Sequence, residues 1–299
     1  MYPESSCDGY KLDHRRQYPK GTQFVLSNLT PRSTRRGDGY EKVVYFGGQW
    51  FIKQHLIKEW NEEFFQKPVE EVLHRFTRLI NAYLGPDNQV GCQHIADLHK
   101  LGYLPVKIMS LPEGTIYPLR VPCLVIFNTH DDFFWVTNYL ETILSTSIWG
   151  MCTSATTAYN YKVLLDYYAK VTVGNTGFTK YQGHDFSFRG MFGPQAAQLS
   201  GIAHLTSFVG TDTIPAITFA EEFYNANIDN ELVGCSVAAT EHSVMCAGEQ
   251  ENEVETFRRL IEDLYPKGIV SIVSDTWDFW HVCDPKDGIL VQLKDKILA

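Results

Sequence analysis

GHDFSFRGMFGPQAAQLSGIAHLTSFVGTDT, from Gly183 to Thr213, decides how the rest of the chain is read. A polar cluster, His184-Asp185-Phe186-Ser187-Phe188-Arg189-Gly190, sits where an extended run ends. Gly193-Pro194 opens a helical segment, and the apolar run Ala203 to Val209 is expected to form the next strand. That run ends in a second polar cluster, Gly210-Thr211-Asp212-Thr213. Strand, loop, helix, strand, loop, with reactive side chains at the strand exits, is the pattern of a βα barrel whose chemistry lies at the C-terminal ends of its strands.

Working outward, the same rhythm continues toward the C-terminus. Strand exits near Asp185, Thr211, Ser236 and Ser274 are spaced as in βα units. Pro215 leads into a helix carrying Ile217, Ala220 and Tyr224. Val254, Phe257, Ile261 and Leu264 mark one face of another, which ends before Pro266. Ile269 to Val273 is a continuous apolar run, as expected of a buried parallel strand. A closed barrel needs about eight units and about four are visible. Four parallel strands leave an unpaired apolar edge, so the pattern reads as the first half of an irregular (β/α) barrel.

Upstream, strands and helices mix without a repeat. Short strands are expected at Gln23 to Leu26, Val43 to Phe46, Leu104 to Met109 and Val121 to Phe127. Helices are expected over 49–64, after Pro68 with Val72, Phe76, Ile80 and Leu84 on one face, and from Cys92 to Leu101. A largely helical stretch over 136–170 offers Tyr139, Ile143, Val163, Leu164, Tyr167 and Tyr168 as core candidates. The fold class is therefore α/β: an N-terminal α+β domain over 1–147, with a dimer-facing arm, followed by an incomplete barrel over 148–299.

Bulk properties narrow the function. The chain has 299 residues, 44% hydrophobic and 20% charged, which argues against disorder. A net charge of −9 disfavours nucleic-acid partners, because phosphate-backbone binding wants a basic face. A small anion needs only a local Arg cluster and backbone N–H groups. Seven cysteines without CxxC spacing suggest neither a disulfide framework nor a zinc ribbon, so a reducing, cytoplasmic setting is expected. No secretory core follows Met1, and no apolar run reaches membrane-span length, so no membrane partner is expected.

Several residue clusters invite chemistry, each with a plainer reading beside it. Asp212 at a strand end is either a helix cap or a recognition carboxylate. Arg189, after Phe186 and Phe188, is either a surface cation or a planar donor for phosphate beside an aromatic face. Glu241-His242-Ser243 follows a small-residue run, and no Ser or Cys nucleophile partners the histidine. Ser271, Ser274, Asp275 and Asp278 gather at the last strand exit, where acids bind ribose hydroxyls, surround Mg²⁺ with water, or cap the next helix. The aromatic and basic arm over 1–22 reads either as a solvated tail or as a surface that packs on a neighbour, and the basic loop Thr30 to Gly37 either as a solvated loop or as a phosphate site. GxSxG, HExxH and P-loop motifs are absent.

Six motifs in order carry a family resemblance. They are D-G-Y-K-x-x-H-x-x-Q-Y-P (Asp8 to Pro19), T-N-x-x-E-T (Thr137 to Thr142), H-D-F-x-x-R-G (His184 to Gly190), A-H-L-x-x-F-x-G-T-D-T (Ala203 to Thr213), E-H-S (Glu241 to Ser243) and V-S-D-x-x-D (Val273 to Asp278). Together the chain resembles the nicotinamide phosphoribosyltransferase family of type II phosphoribosyltransferases.

The resemblance implies a pentosyltransferase of NAD salvage. It would join nicotinamide to phosphoribosyl pyrophosphate with Mg²⁺, giving nicotinamide mononucleotide and pyrophosphate. It also implies a cytoplasmic homodimer with shared sites. Phe186 would stack on the pyridine ring, and Tyr10 of the partner subunit would cover its other face. Asp212 would accept the amide N–H and repel nicotinate, and Arg189 would hold phosphate or the ring's surroundings. Arg32 would reach the diphosphate, and Ser236, Val237, Ser271 and Asp275 would line the nucleotide pocket. His242 matches the histidine that the family phosphorylates with ATP as phosphodonor.

The chain departs from the family at Val209, where a Lys is frequent, and at Ala238 and Thr240, where Pro and Ala are usual. The family's R-P-D-S-G strand and Gly-rich phosphate loops do not occur in these residues. The chain is therefore expected to be inactive alone, or to act as a non-catalytic or split-enzyme subunit that binds a nicotinamide-like ring.

Overall fold

The computed structural model describes residues 1–33 and 41–298. The chain divides into two compact units, Met1–Gly234 and Cys235–Ala299.

The first unit is built on antiparallel strands and long helices. Strands β1 (Leu26–Leu29), β2 (Lys42–Val44), β3 (Val106–Ser110), β4 (Ile116–Pro118) and β5 (Leu124–Asn128) form two sheets, ordered β1-β5-β3 and β2-β4, antiparallel throughout. β5 is central and alternates buried and half-buried residues, as a strand packed on one face does. Helix α1 (Val69–Leu84) starts behind Pro68 with Glu70 and Glu71 in its first turn, and buries Val72, Phe76 and Ile80 at four-residue spacing. Helix α2 (Gln93–Leu101) adds Ile95 and Leu98 to the same core.

The 32-residue helix α3 (Glu141–Thr172) follows. The domain boundary expected at 147/148 falls inside it. Its N-terminal half is core: Leu144, Ile148, Met151 and Ala155 are buried, and Thr156 Oγ1 accepts the Val44 N–H at 2.9 Å. Its C-terminal half corrects an expectation. Val163, Leu164, Tyr167 and Tyr168 are exposed rather than core. In a helix apolar on most sides, periodicity does not say which side is covered.

After α3 the chain turns parallel. Strand β6 (His184–Asp185), helix α4 (Pro194–His204) and strand β7 (Gly210–Thr211) form a βαβ unit, with β6 and β7 paired parallel and helix α5 (Ile214–Tyr224) following. Ala203 to Val209 is therefore not a strand. It is the last turn of α4 and the loop beyond it, and a short apolar run looks alike in either setting.

The second unit repeats the plan on a small core of Met245, Phe257, Leu260, Val282, Ile289 and Leu293. Strand β8 (Ala238–Ala239), helix α6 (His242–Ala247), helix α7 (Glu253–Arg258) and strand β9 (Val270–Ser271) again place two parallel strands around helices. α7 continues into a π-helical stretch, Arg259–Leu264. The changed pitch puts Leu260 in the core and leaves Leu264 exposed. The run Ile269 to Val273 is paired over two residues only, and Ile269 is exposed, so it is not the buried strand expected.

The fold class is α/β. The parallel pairs are those of the expected βα units, and no closed barrel occurs among the described residues.

Candidate active site

Parallel pairing sets the geometry of the first constellation. His184 stands opposite Gly210 and Asp185 opposite Thr211, so the next residues out, Phe186 and Asp212, leave the sheet at the same end. The Asp212 N–H donates to the Asp185 carbonyl at 2.9 Å and holds the exit in register. One turn of 3₁₀ helix, Phe188–Gly190, then brings Arg189 around. Phe186, Phe188, Arg189 and Asp212 together line a cleft of about 310 Å³. That volume suits a small heteroaromatic ligand. Phe186 is 67% exposed, which leaves its side chain open to stacking.

A buried polar layer supports the cleft floor. Asp185 is buried, and its Oδ1 accepts the Ser187 N–H at 2.9 Å, which tightens the turn toward Phe188. Burial pushes the Asp185 carboxyl up. The hydroxyls of Ser187 and Thr213, the Ser187 N–H and the nearby His204 outweigh burial and hold the carboxyl below its ordinary range. Thr211 and Thr213 are buried, and the Thr213 N–H donates to Thr211 Oγ1 at 2.9 Å. His204 Nε2 donates to the Gly210 carbonyl at 3.1 Å, and burial lowers its pKa, favouring the neutral ring.

Asp212 is not the cap of α5. The cap position is Thr213, and Asp212 Oδ1 lies 2.8 Å from His184 Nε2. A carboxylate only accepts, so Nε2 carries the proton. The His184 ring also lies against Phe186, with centroids 4.6 Å apart. A Cβ at residue 210 would fall 2.7 Å from His184 Nδ1 and 2.8 Å from the Gly183 carbonyl, so only glycine lets the backbone approach this ring so closely.

In the second unit, His242 opens α6 and Asp275 follows β9. His242 Nε2 and Asp275 Oδ1 are 3.1 Å apart, and both side chains are exposed. Ser243 Oγ donates to Glu241 Oε1. Thr240 ties the two strand exits together: its N–H donates to the Ser271 carbonyl at 3.0 Å, and its Oγ1 accepts the Val273 N–H at 2.9 Å. Ser271 is exposed at the end of β9, whereas Ser236 and Val237 are exposed just before β8, at the entry of that strand rather than at the exit expected near Ser236. Asp278 takes the plainer of its two readings and caps the next helix, accepting the N–H groups of Trp280 and His281 at 2.9 and 3.2 Å.

Comparison with known proteins matches this architecture. Residues 5–108 fit the model of the nicotinamide phosphoribosyltransferase N-terminal domain, and residues 181–299 fit that of the nicotinate phosphoribosyltransferase family. A nicotinamide phosphoribosyltransferase of Acinetobacter baylyi is 52% identical over 99% of the chain. This chain is similar to nicotinamide phosphoribosyltransferases over nearly its whole length. One from Mycoplasma pneumoniae is 36% identical over 98% of the chain. The chain spans 58% and 63% of the lengths of these two relatives. Two solved structures share the fold: a nicotinate-nucleotide pyrophosphorylase of Pyrococcus furiosus (TM-score 0.55, 17% identity, 98% of this chain and 56% of that one) and a human nicotinic acid phosphoribosyltransferase (TM-score 0.50, 16% identity, 80% and 39%).

Against the nicotinamide phosphoribosyltransferase motifs, the structure gathers Phe186, Arg189 and Asp212 in one cleft and His242 with Asp275 at one strand end. Tyr10 and Arg32 are not among the residues lining the Phe186 cleft. Tyr10 is exposed on an arm docked against the chain's own T-N-x-x-E-T motif. Lys11 Nζ donates to Asn138 Oδ1 and Glu141 Oε2, each at 2.6 Å, and Thr142 Oγ1 donates to Asp8 Oδ2 at 2.7 Å. The arm is therefore an ordered part of the first unit, and two family motifs far apart in sequence are the two sides of one contact. Arg32 is exposed, and residues 34–37 of the basic loop lie outside the described residues.

Sequence reasoning assigned no role to His184. Its partner is 28 positions away, and only the register of the parallel pair links the two.

Proposed function

We propose that the chain recognises nicotinamide and serves transfer of the phosphoribosyl group to it from phosphoribosyl pyrophosphate. In that reaction the pyridine nitrogen bonds to the anomeric carbon as the bond to pyrophosphate breaks. The observation that carries this reading is the convergence of the Phe186 ring, Arg189 and the Asp212 carboxylate in one cleft. Phe186 supplies a stacking face for an electron-poor ring. Asp212 accepts an amide N–H and repels a carboxylate in the same place, which favours nicotinamide over nicotinate. Arg189 supplies positive charge for the phosphate side.

Little covalent help is needed from the protein: alignment of the reactants and stabilisation of the departing pyrophosphate supply most of the rate. Mg²⁺ enters with the diphosphate as part of the substrate. Its fit rests on diphosphate oxygens as hard donors, since no group of three or more His, Cys, Asp or Glu side chains gathers around a metal position among the described residues.

The rest of the reading follows the family. In the second unit, Ser236, Val237, Ser271 and Asp275 line the nucleotide pocket, and His242 accepts phosphate from ATP beside it, which changes the local charge. The assembly is a cytoplasmic homodimer with no nucleic-acid partner, in which the partner subunit's Tyr10 covers the second face of the ring and the partner's Arg32 reaches the diphosphate.

The test is calorimetric titration of the 299-residue chain with nicotinamide and with nicotinate. The wild type is expected to prefer the amide, and Asp212→Ser is expected to reduce that preference about tenfold, the size of one charge-assisted contact. A preference unchanged in Asp212→Ser, or no preference in the wild type, overturns the reading.

A further inference from the structure

We infer that His184 is the positioning residue for Asp212: its Nε2–H fixes the carboxylate so that the cleft selects a ring carboxamide. This rests on the nicotinamide reading above and adds to it a residue outside the cleft lining.

An aspartate at a loop exit rotates about χ1 and χ2, and a rotating carboxylate discriminates poorly between a hydrogen-bond donor and an anion. Here one oxygen is held at 2.8 Å by an imidazole that is itself confined. β6 fixes its backbone through pairing with β7. The ring packs against Phe186 at a centroid distance of 4.6 Å. The Gly210 backbone comes so close to Nδ1 that a single Cβ there would collide. The chain of restraint therefore runs from the sheet to His184, and from His184 to both recognition groups, the Phe186 face and the Asp212 carboxylate.

Magnitude separates this role from a merely structural ion pair. The His184 side chain is 24% exposed and that of Asp212 is 50% exposed. Pairs so wet contribute little to folding, so replacing His184 leaves the fold intact. Losing the restraint makes ligand binding bear the cost of ordering the carboxylate, which amounts to roughly three- to tenfold in affinity.

Three readouts test it on the 299-residue chain. In ligand-free protein, ¹⁵N NMR of the histidine rings is expected to show His184 as the Nε2-protonated tautomer at neutral pH. In calorimetry, His184→Ala is expected to weaken nicotinamide binding about three- to tenfold and lower the amide preference. His184→Gln, which keeps an N–H donor at similar reach, is expected to stay within about twofold of wild type.

A His184 protonated on Nδ1 alone overturns the inference. So does an unchanged amide preference in His184→Ala while the wild type discriminates. Equal losses in the Ala and Gln variants overturn it as well, since the N–H would then not matter. A wild type without amide preference, by contrast, removes the nicotinamide reading itself, and this inference with it.

Discussion

Asp275 accepts the Nε2 proton of His242 at 3.1 Å, linking the loop after β9 to the first residue of α6. A histidine phosphorylated from ATP must present one nitrogen lone pair in a fixed direction, and a carboxylate on the other nitrogen both orients the ring and favours its charged product. On the proposed reading of His242 as acceptor of phosphate from ATP, Asp275→Ala is expected to cut incorporation of the γ-phosphate into His242 about tenfold. Incorporation of radiolabelled phosphate, with His242→Ala as the blank, checks this, and equal labelling of wild type and Asp275→Ala rules out the orienting role.

Glu4 and Arg75 form an ion pair buried within the first unit, with Arg75 Nη2 donating to Glu4 Oε2 at 3.1 Å and also to the Glu63 carbonyl. The Glu4 side chain is 1% exposed, so removing it leaves the buried guanidinium with only the more exposed Glu71 carboxylate, 3.6 Å away, as a charge partner. Glu4→Ala is expected to destabilise the first unit by about 3–5 kcal/mol, read as a lower urea midpoint. A shift no larger than that of an exposed pair, under about 1 kcal/mol, would count against it.

His94 is packed edge-on between Phe76 and Trp135. Burial takes its pKa down to about 3, with the Arg15 charge acting the same way and Asp97 opposing. The folded ring stays neutral while the unfolded ring protonates near its ordinary pKa of about 6.5. Stability held above about pH 6.5 is thus lost as pH falls toward 3, at up to roughly 1.4 kcal/mol per pH unit. Urea unfolding between about pH 7 and 5 should show this slope, and His94→Gln should flatten it. Asp185, held below its ordinary range, adds a loss in the same direction only in more acid solution.

Much of this was legible in sequence. The spacing of Val72, Phe76, Ile80 and Leu84 gave the helix and its buried face, although Leu84, at the helix end, is exposed, and the polar clusters around Phe186 and Asp212 gave two strand exits that do converge. Other features were not legible, for physical reasons. Ala203 to Val209 is apolar both as a helix end and as a strand, and short runs carry no decisive period. Val163, Leu164, Tyr167 and Tyr168 have core chemistry, but burial depends on what lies opposite, which composition does not encode. His184 was in view from the start, yet its partner Asp212 becomes a neighbour only when the strands pair in parallel with His184 opposite Gly210. The capping role of Asp278, by contrast, was among the readings open in sequence, and it is the one the chain takes.

The docked arm has a consequence for proteolysis. Trypsin needs an extended stretch of chain in its cleft, so a cut requires local opening. Arg16 is exposed in a four-residue helix, and fraying there suffices to admit a protease. Lys11 is different: its side chain is buried and bonded to Asn138, in the helical turn before α3, and to Glu141 at the head of α3. The bond after Lys11 is sheltered until the arm leaves the helix that anchors much of the first unit's core. Limited digestion thus distinguishes two events at neighbouring sites, surface fraying at one and detachment from the core at the other.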